Sequence, residues 1–286
     1  MPGVHRHIPR RRAPAWLDGG RYRRTSGIER GGCRVRICRF TSGRSAPSWG
    51  IVENDLVFEL TGDPYDSPLR GELVGALSDV SLLAPTVASK VVCAARNYRT
   101  DGHVQSDEPA FPVLFGKYPN SIIGPDAPIE IPTGASSVSF EGELAVIISR
   151  LATAVQHDDA KNYIAGYTCA NDVTVSEWMS PEPQWLEAKS SDTLCPLGPW
   201  METELDTDSV RIRTSVNGES RQDGTTAGLI FTAEQIVVHI TKTMTLYPGD
   251  VILTGTPAGV GKMYGGDVVE VQITGLGTLR NPVICR

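Results

Sequence analysis

Glu141 and Glu143 stand two residues apart in Val138-Ser139-Phe140-Glu141-Gly142-Glu143-Leu144-Ala145-Val146-Ile147-Ile148. The segment is rich in β-branched and apolar residues, so it reads as a strand. Side chains at i and i+2 of a strand share a face. The two carboxylates therefore project side by side, on a face that continues into Ala145 and Ile147. Adjacent carboxylates at the mouth of an apolar strand repel, so one takes up a proton or a cation sits between them. Asp172 supplies a third carboxylate at the end of another strand-like run, Tyr163-Ile164-Ala165-Gly166-Tyr167-Thr168-Cys169-Ala170. Three carboxylates with no nearby Cys or His pair suit a hard divalent ion, Mg²⁺ or Mn²⁺, rather than Zn²⁺. Such a site leaves positions for water and an oxygen-rich substrate. The competing reading is a solvated edge strand carrying unrelated acids. The apolar residues on both sides weigh against it.

Two further segments could serve the same chemistry. Thr254-Gly255-Thr256-Pro257-Ala258-Gly259-Val260-Gly261-Lys262 is a glycine-rich loop after a strand. It is not a nucleotide loop: Thr256 stands where that pattern needs Gly, and Met263 where it needs Ser or Thr. It still lets backbone amides approach an anion closely, and Thr256 adds a hydroxyl. Lys189, in Ala188-Lys189-Ser190-Ser191-Asp192-Thr193, is a surface residue on type alone. Beside a carboxylate cluster it would hold a substrate carboxylate or steady an oxyanion.

The elements that must position these groups are mostly strands, expected at 90–95, 111–116, 137–149, 163–170, 209–216, 250–254 and 268–274. Asn217-Gly218 predicts a two-residue hairpin turn. Thr232–Thr243 predicts an amphipathic helix, Asp158–Tyr163 a helical start, and Thr174–Trp178 another that opens with a Thr-x-x-Glu capping box. Pro248-Gly249-Asp250-Val251 and Gly265-Gly266-Asp267-Val268 look like one turn-then-strand device used twice. Further upstream, Val35–Phe40, Trp49–Val52 and Leu56–Leu60 predict a small antiparallel unit, and Leu69–Leu83 a short helix.

The 286 residues can bury a sizeable core, and no run of about 18 apolar residues predicts a membrane-spanning helix. Residues 1–30 hold eight Arg against Asp18 and Glu29, a net +6, which leaves −12 for the rest. A body this acidic argues against nucleic-acid binding. The basic stretch lacks the apolar region of a secretory signal and the amphipathic pattern of a transit peptide. It predicts a disordered arm, or a start assigned too far upstream. The six cysteines are scattered with no C-x-x-C pair, which predicts a reduced, cytoplasmic chain with Cys169 and Cys195 as small core residues.

Taken in order, Glu141–Ile147, Ala165–Val173, Lys189–Pro199, Val216–Glu219, Arg221–Gly224 and Leu253–Gly261 resemble the fumarylacetoacetate hydrolase family over roughly residues 89–286. Residues 33–60 resemble the small N-terminal domain that many members carry. The resemblance implies a strand-dominated α+β fold, a mixed β-sandwich roll with a small N-terminal β domain. The expected organisation is an arm over 1–30, that small domain over 31–84, and a catalytic domain over 85–286. The resemblance further implies a homodimer and a Mg²⁺ or Mn²⁺ ion on Glu141, Glu143 and Asp172. It implies a catalytic Lys189 and substrate contacts from Gln222, Thr256 and Gly255. The substrate would be a small 2-oxo acid or β-diketo acid, with neither nucleic acid nor membrane as a partner.

The chain departs from the family at one place. Hydrolytic members carry Asn-Tyr-x-x-His-x-x-Glu in a lid, with the His and Glu activating water. Here Asn97-Tyr98 is followed by Asp101 and Val104 at those two positions, and the nearby histidine is His103. His103 is the candidate base, and an exposed loop histidine is the alternative. The first expected activity is acylpyruvate-type C–C hydrolysis through a metal-stabilised enolate. The alternatives are 2-hydroxyhepta-2,4-diene-1,7-dioate isomerisation, oxaloacetate-type decarboxylation, and a non-catalytic protein that binds metal and 2-oxo acid.

Overall fold

The computed structural model describes residues 34–43, 45–99, 108–180 and 184–286. The basic arm, His103 and Asp101 lie outside them. The fold is strand-dominated, with α-helix confined to Ser176–Met179, Leu186–Ser190 and Ala233–Thr241 among the described residues. One large mixed sheet runs in the order Ser67–Ala76, Leu56–Asp63, Ser48–Glu53, Arg36–Thr41, Cys195–Glu202, Ile164–Asn171, Gly142–Ile148, Val251–Leu253, Val91–Ala95 and Val113–Lys117. The N-terminal strands join it where Arg36 and Ile37 pair with Glu202 and Met201. A second sheet runs Glu219–Thr225, Arg211–Val216, Val268–Ile273, Gly277–Cys285 and Ile129–Ile131.

The central strand Gly142–Ile148 explains why the sheets stack. All seven of its residues are buried, so both of its faces are covered. Leu144, Val146 and Ile148 pack with Ile212, Val271, Ile273 and Leu279 of the second sheet, and with Ile236, Val237 and Ile240 of the helix. Ala145 and Ile147 point the other way, among Ile37, Val91, Cys93, Leu197 and Leu253. This is the period-2 alternation expected of a strand, with Glu143 on the Ala145 face.

Local chemistry sets several elements. Asn217 and Gly218 both adopt positive φ (53° and 79°), as the tight hairpin requires. Thr232 caps the helix in a full capping box with Gln235. The twin turn devices are real: Asp250 Oδ2 accepts from Tyr247 N and Asp267 Oδ2 from Tyr264 N, each at 2.8 Å. Burial pushes the Cys169 and Cys195 thiols up to about 12, as fits neutral core residues. Among the described residues no helix is long and apolar enough to cross a membrane.

Two expectations fail. Leu69–Leu83 is not a helix. Residues Ser67–Ala76 form a strand paired with Leu56–Asp63, followed by a single 3₁₀ turn at Leu77–Asp79 and the strand Ser81–Leu83. Leu69 and Leu73 are 61% and 59% exposed. Gly71 and Gly75 each cost about 1 kcal/mol in a helix interior, which weakens the helix against the strand pairing. The capping box at Thr174 is also absent. The turn Ser176–Met179 starts without a side-chain cap, and Glu177 binds Ser136. The Thr174 hydroxyl is taken up by the acidic site.

Candidate active site

The strand bearing the two glutamates is interrupted at Glu141, between Val138–Phe140 and Gly142–Ile148. Asn171 sets the break: its Oδ1 accepts from Glu141 N at 2.9 Å. Asp172 N in turn donates to Glu141 O. The register places Glu143 opposite Ala170, so Asp172, just past the strand end, reaches the same corner. Glu141, Glu143 and Asp172 each offer a carboxylate oxygen within 4.8 Å of the others.

Two ammonium groups surround this triad. Lys189 Nζ donates to Glu141 Oε1 and Oε2 at 3.0 and 3.1 Å and to Asp172 Oδ2 at 2.7 Å. It also lies 4.9 Å from the centre of the Phe115 ring. Lys117, fully buried at the end of its strand, directs its ammonium at the carbonyls of Val173, Lys189 and Leu194. Asp172 Oδ1 lies 2.8 Å from Lys117 Nζ. The same ammonium therefore serves three carbonyls and a buried ion pair at once. Sequence reasoning missed Lys117. The signal was a lysine closing an apolar run, Val113-Leu114-Phe115-Gly116-Lys117.

The charges decide what the site can hold. Burial first, then Asp172 and Glu141, push Glu143 well above the usual carboxylate range. Burial also raises Glu141, against the pull of Lys189. For Asp172 burial works in the same direction, but Lys117 and Lys189 outweigh it and hold its carboxyl below the usual range. Three carboxylates against two ammonium groups leave one negative charge over, in a buried corner. A proton on Glu143 or a bound cation removes it. The donor set is all oxygen, as suits Mg²⁺ or Mn²⁺. The nearby Cys93 and Cys195 thiols are raised by burial and stay neutral, so they are poor soft ligands. The residues present therefore fit a hard divalent cation.

A cavity of ≈ 270 Å³ opens above the triad, lined also by Arg96, Tyr98, Phe115, Met179, Trp185, Gly255 and Thr256. Gly255 N donates to Glu143 Oε2 at 2.6 Å. Its φ of 101° and the Asn97 Cβ only 3.0 Å from where a side chain would start leave room for glycine alone. Thr256 lines the cavity and donates to Gly142 O. Gln222 is buried behind it. Its Oε1 accepts from Gly142 N, and its Nε2 donates to Thr256 Oγ1 and Pro257 O. The geometry thus brings Gly255, Thr256 and Lys189 to the cavity with the triad, while Gln222 braces the Glu141–Glu143 backbone. Thr174, expected as a cap, places its hydroxyl 2.7 Å from Glu141 Oε1. Glu108, the described acid nearest in sequence to the lid, pairs with Arg99 at 3.0 Å.

Comparison with known proteins settles the family. The model described as fumarylacetoacetate (FAA) hydrolase C-terminal matches residues 90–284. The chain belongs to the fumarylacetoacetate hydrolase family. A second model, described as Rv2993c-like, N-terminal, matches residues 35–85. The structure of a 2-hydroxyhepta-2,4-diene-1,7-dioate isomerase from Mycobacterium marinum superposes with a TM-score of 0.82 at 40% identity, covering 88% of this chain and 99% of that one. A mitochondrial oxaloacetate tautomerase from Xenopus laevis is 39% identical over 222 residues, 72% of this chain and 69% of that protein. A maleylpyruvate hydrolase from Sphingobium sp. SYK-6, solved with manganese(II) and pyruvate, gives a TM-score of 0.72 at 27% identity, covering 87% and 99%. Members of this family are therefore isomerases, tautomerases and hydrolases.

Proposed function

We propose that the protein is a divalent-metal-dependent enzyme that moves a proton between the enol and keto forms of a small 2-oxo acid. The observation that carries this reading is the Glu141–Glu143–Asp172 triad, with Glu143 and Asp172 buried and Glu141 partly so, one negative charge in excess, at the floor of a cavity. A Mg²⁺ or Mn²⁺ ion held there would supply the Lewis acid that favours the enolate. Lys189 and Lys117 fix the acids from below, and Gly255 N–H fixes Glu143. Tyr98 supplies the wall. Its hydroxyl is buried with no partner among the described residues, and burial, then the Glu143 charge, raise its pKa and keep it a neutral donor for a substrate oxygen. The likeness near 40% identity to an isomerase and a tautomerase supports proton transfer ahead of C–C cleavage. The chain is proposed to act as a homodimer in the cytoplasm.

Hydrolysis is the second reading, supported by the likeness to maleylpyruvate hydrolase. It requires a base that activates water, and His103 is the histidine of the lid segment. His103→Ala separates the two. Under the proton-transfer reading the variant keeps its rate of enol-oxaloacetate loss within about threefold. Under the hydrolytic reading its rate on an acylpyruvate falls by about 10²–10⁴-fold. A wild-type chain that cleaves acylpyruvates at enzymatic rates and leaves enol-oxaloacetate untouched would reverse the order of these readings.

A further inference from the structure

A partly buried cation without a counter-ion sits in the N-terminal strand Arg36–Thr41. Most described arginines pair with a carboxylate, as Arg34 does with Glu202, Arg99 with Glu108 and Arg280 with Asp126. Arg39 has no such pair among the described residues. Its Nη1 donates to Ala84 O at 3.1 Å and to Thr86 O at 3.2 Å. Its guanidinium lies 5.4 Å from the centre of the Trp49 ring, and Tyr65 meets that ring edge-on at 5.5 Å. Thr86 is held in turn: its hydroxyl lies 3.0 Å from that of Tyr65 and donates to Gly249 O at 2.6 Å. These contacts fix the guanidinium, but carbonyls and a ring face leave its charge uncancelled. No hydrogen bond among the described residues engages its Nε or Nη2. Burial lowers its pKa, as fits a cation drawn out of water with no acid to offset the loss.

Arg39 also lines a cavity of ≈ 380 Å³. Leu83 and Val87 form one wall, at the junction between the residues that match the two family models. Pro119, Ile122 and Ile123 form the other. Among the described residues Arg39 is the one charged group of this lining, and none of the lining is shared with the cavity above the triad. Val87 is 62% exposed, which puts its side of the cavity at the surface. The volume falls within the range for small-molecule sites, about 300–1,000 Å³, and such sites concentrate where domains meet. Apolar walls with one fixed charge select a ligand of the same make-up, an anion on an apolar body.

We propose that this cavity is a second ligand site, apart from the triad, for a small carboxylate with an apolar body. The carboxylate pairs with the Nε and Nη2 edge of Arg39 through two parallel hydrogen bonds, and supplies the counter-ion that the chain does not. The body lies against Leu83, Ile122 and Ile123.

Calorimetry on the full Mn²⁺-loaded chain tests this, with hexanoate, hexanamide and acetate as probes. Hexanoate should bind at least about tenfold more tightly than hexanamide, which keeps the body and lacks the charge. It should exceed acetate, which keeps the charge and lacks most of the body, by at least about tenfold as well. Arg39→Gln should erase the preference for hexanoate over hexanamide. That variant also loosens the packing on Trp49, so Val87→Trp, at an exposed position, provides a second arm. It narrows the mouth, and should weaken hexanoate by at least about tenfold while melting at the wild-type temperature. Equal affinity for hexanoate and hexanamide overturns the proposal. So does hexanoate affinity unchanged in either variant, a result that would place the ligand elsewhere, such as on the triad's metal ion. Binding of none of the probes overturns it too, and smaller species of Arg39→Gln in sedimentation would then assign the cavity to contact with a second copy of the chain.

Discussion

Glu143→Ala should abolish measurable Mn²⁺ binding, and Glu143→Gln should do the same while stabilising the metal-free protein. The two results have one cause. The Glu143 carboxyl is buried beside Asp172 and Glu141, and its pKa lies well above its value in the unfolded chain. The folded protein therefore keeps a proton that the unfolded chain releases as pH rises through the ordinary glutamate range, near 4.5. Over that window the unfolded state binds fewer protons, so metal-free stability falls as pH rises, until the folded pKa is passed. Glutamine carries no such proton. Metal-free Glu143→Gln should therefore melt above the wild type at pH 8, by at least about 2–4 °C, the change that about 1 kcal/mol makes in a chain of this size. Added Mn²⁺ should raise the wild-type melting temperature and leave the variant unmoved. Since the cation competes with that proton, wild-type affinity should rise with pH over the same window. Unchanged Mn²⁺ affinity in either variant would remove Glu143 from the site.

Lys117→Met should cost about 3–5 kcal/mol, the range for breaking a buried ion pair by removing one partner. The ammonium ties together Asp172 and the carbonyls of Val173, Lys189 and Leu194, from three separate segments. Methionine matches the volume and supplies no donor, so those carbonyls lose their partner in a place water does not reach. Urea unfolding of the metal-free protein measures the loss. A second readout separates positioning from stability. Where the fold survives, Mn²⁺ affinity should weaken at least tenfold, because Asp172 is no longer held. A variant with wild-type stability and affinity would show that Lys117 only fills space.

The acidic triad was legible because it depends on short-range rules. Period-2 alternation put Glu143 on the Ala145 face, and a strand end put Asp172 at the same corner. The Asn217-Gly218 hairpin and the twin Asp250 and Asp267 turns followed from residues within four positions of one another. What stayed hidden depends on pairing between distant segments. Nothing beside Lys117 in sequence says that its ammonium meets carbonyls 56–77 residues away. Thr174 carried the local pattern of a cap, but Glu141, 33 residues upstream, competes for its hydroxyl and wins. Leu69 and Leu73 have helical spacing, yet the strand Leu56–Asp63 offers a ladder that the glycines of the segment accept.

The central claim is that the triad holds a divalent cation which drives enol–keto transfer on a 2-oxo acid. Following the enol absorbance of freshly dissolved oxaloacetate tests it most directly, with chelator-treated protein titrated by Mn²⁺ or Mg²⁺. The account predicts a decay rate that starts near the uncatalysed value and rises in proportion to metal occupancy. It further predicts that Glu143→Ala stays at the uncatalysed rate at every metal concentration. Catalysis that is equally fast with metal removed, or absent from protein shown by calorimetry to be metal-loaded, would contradict it.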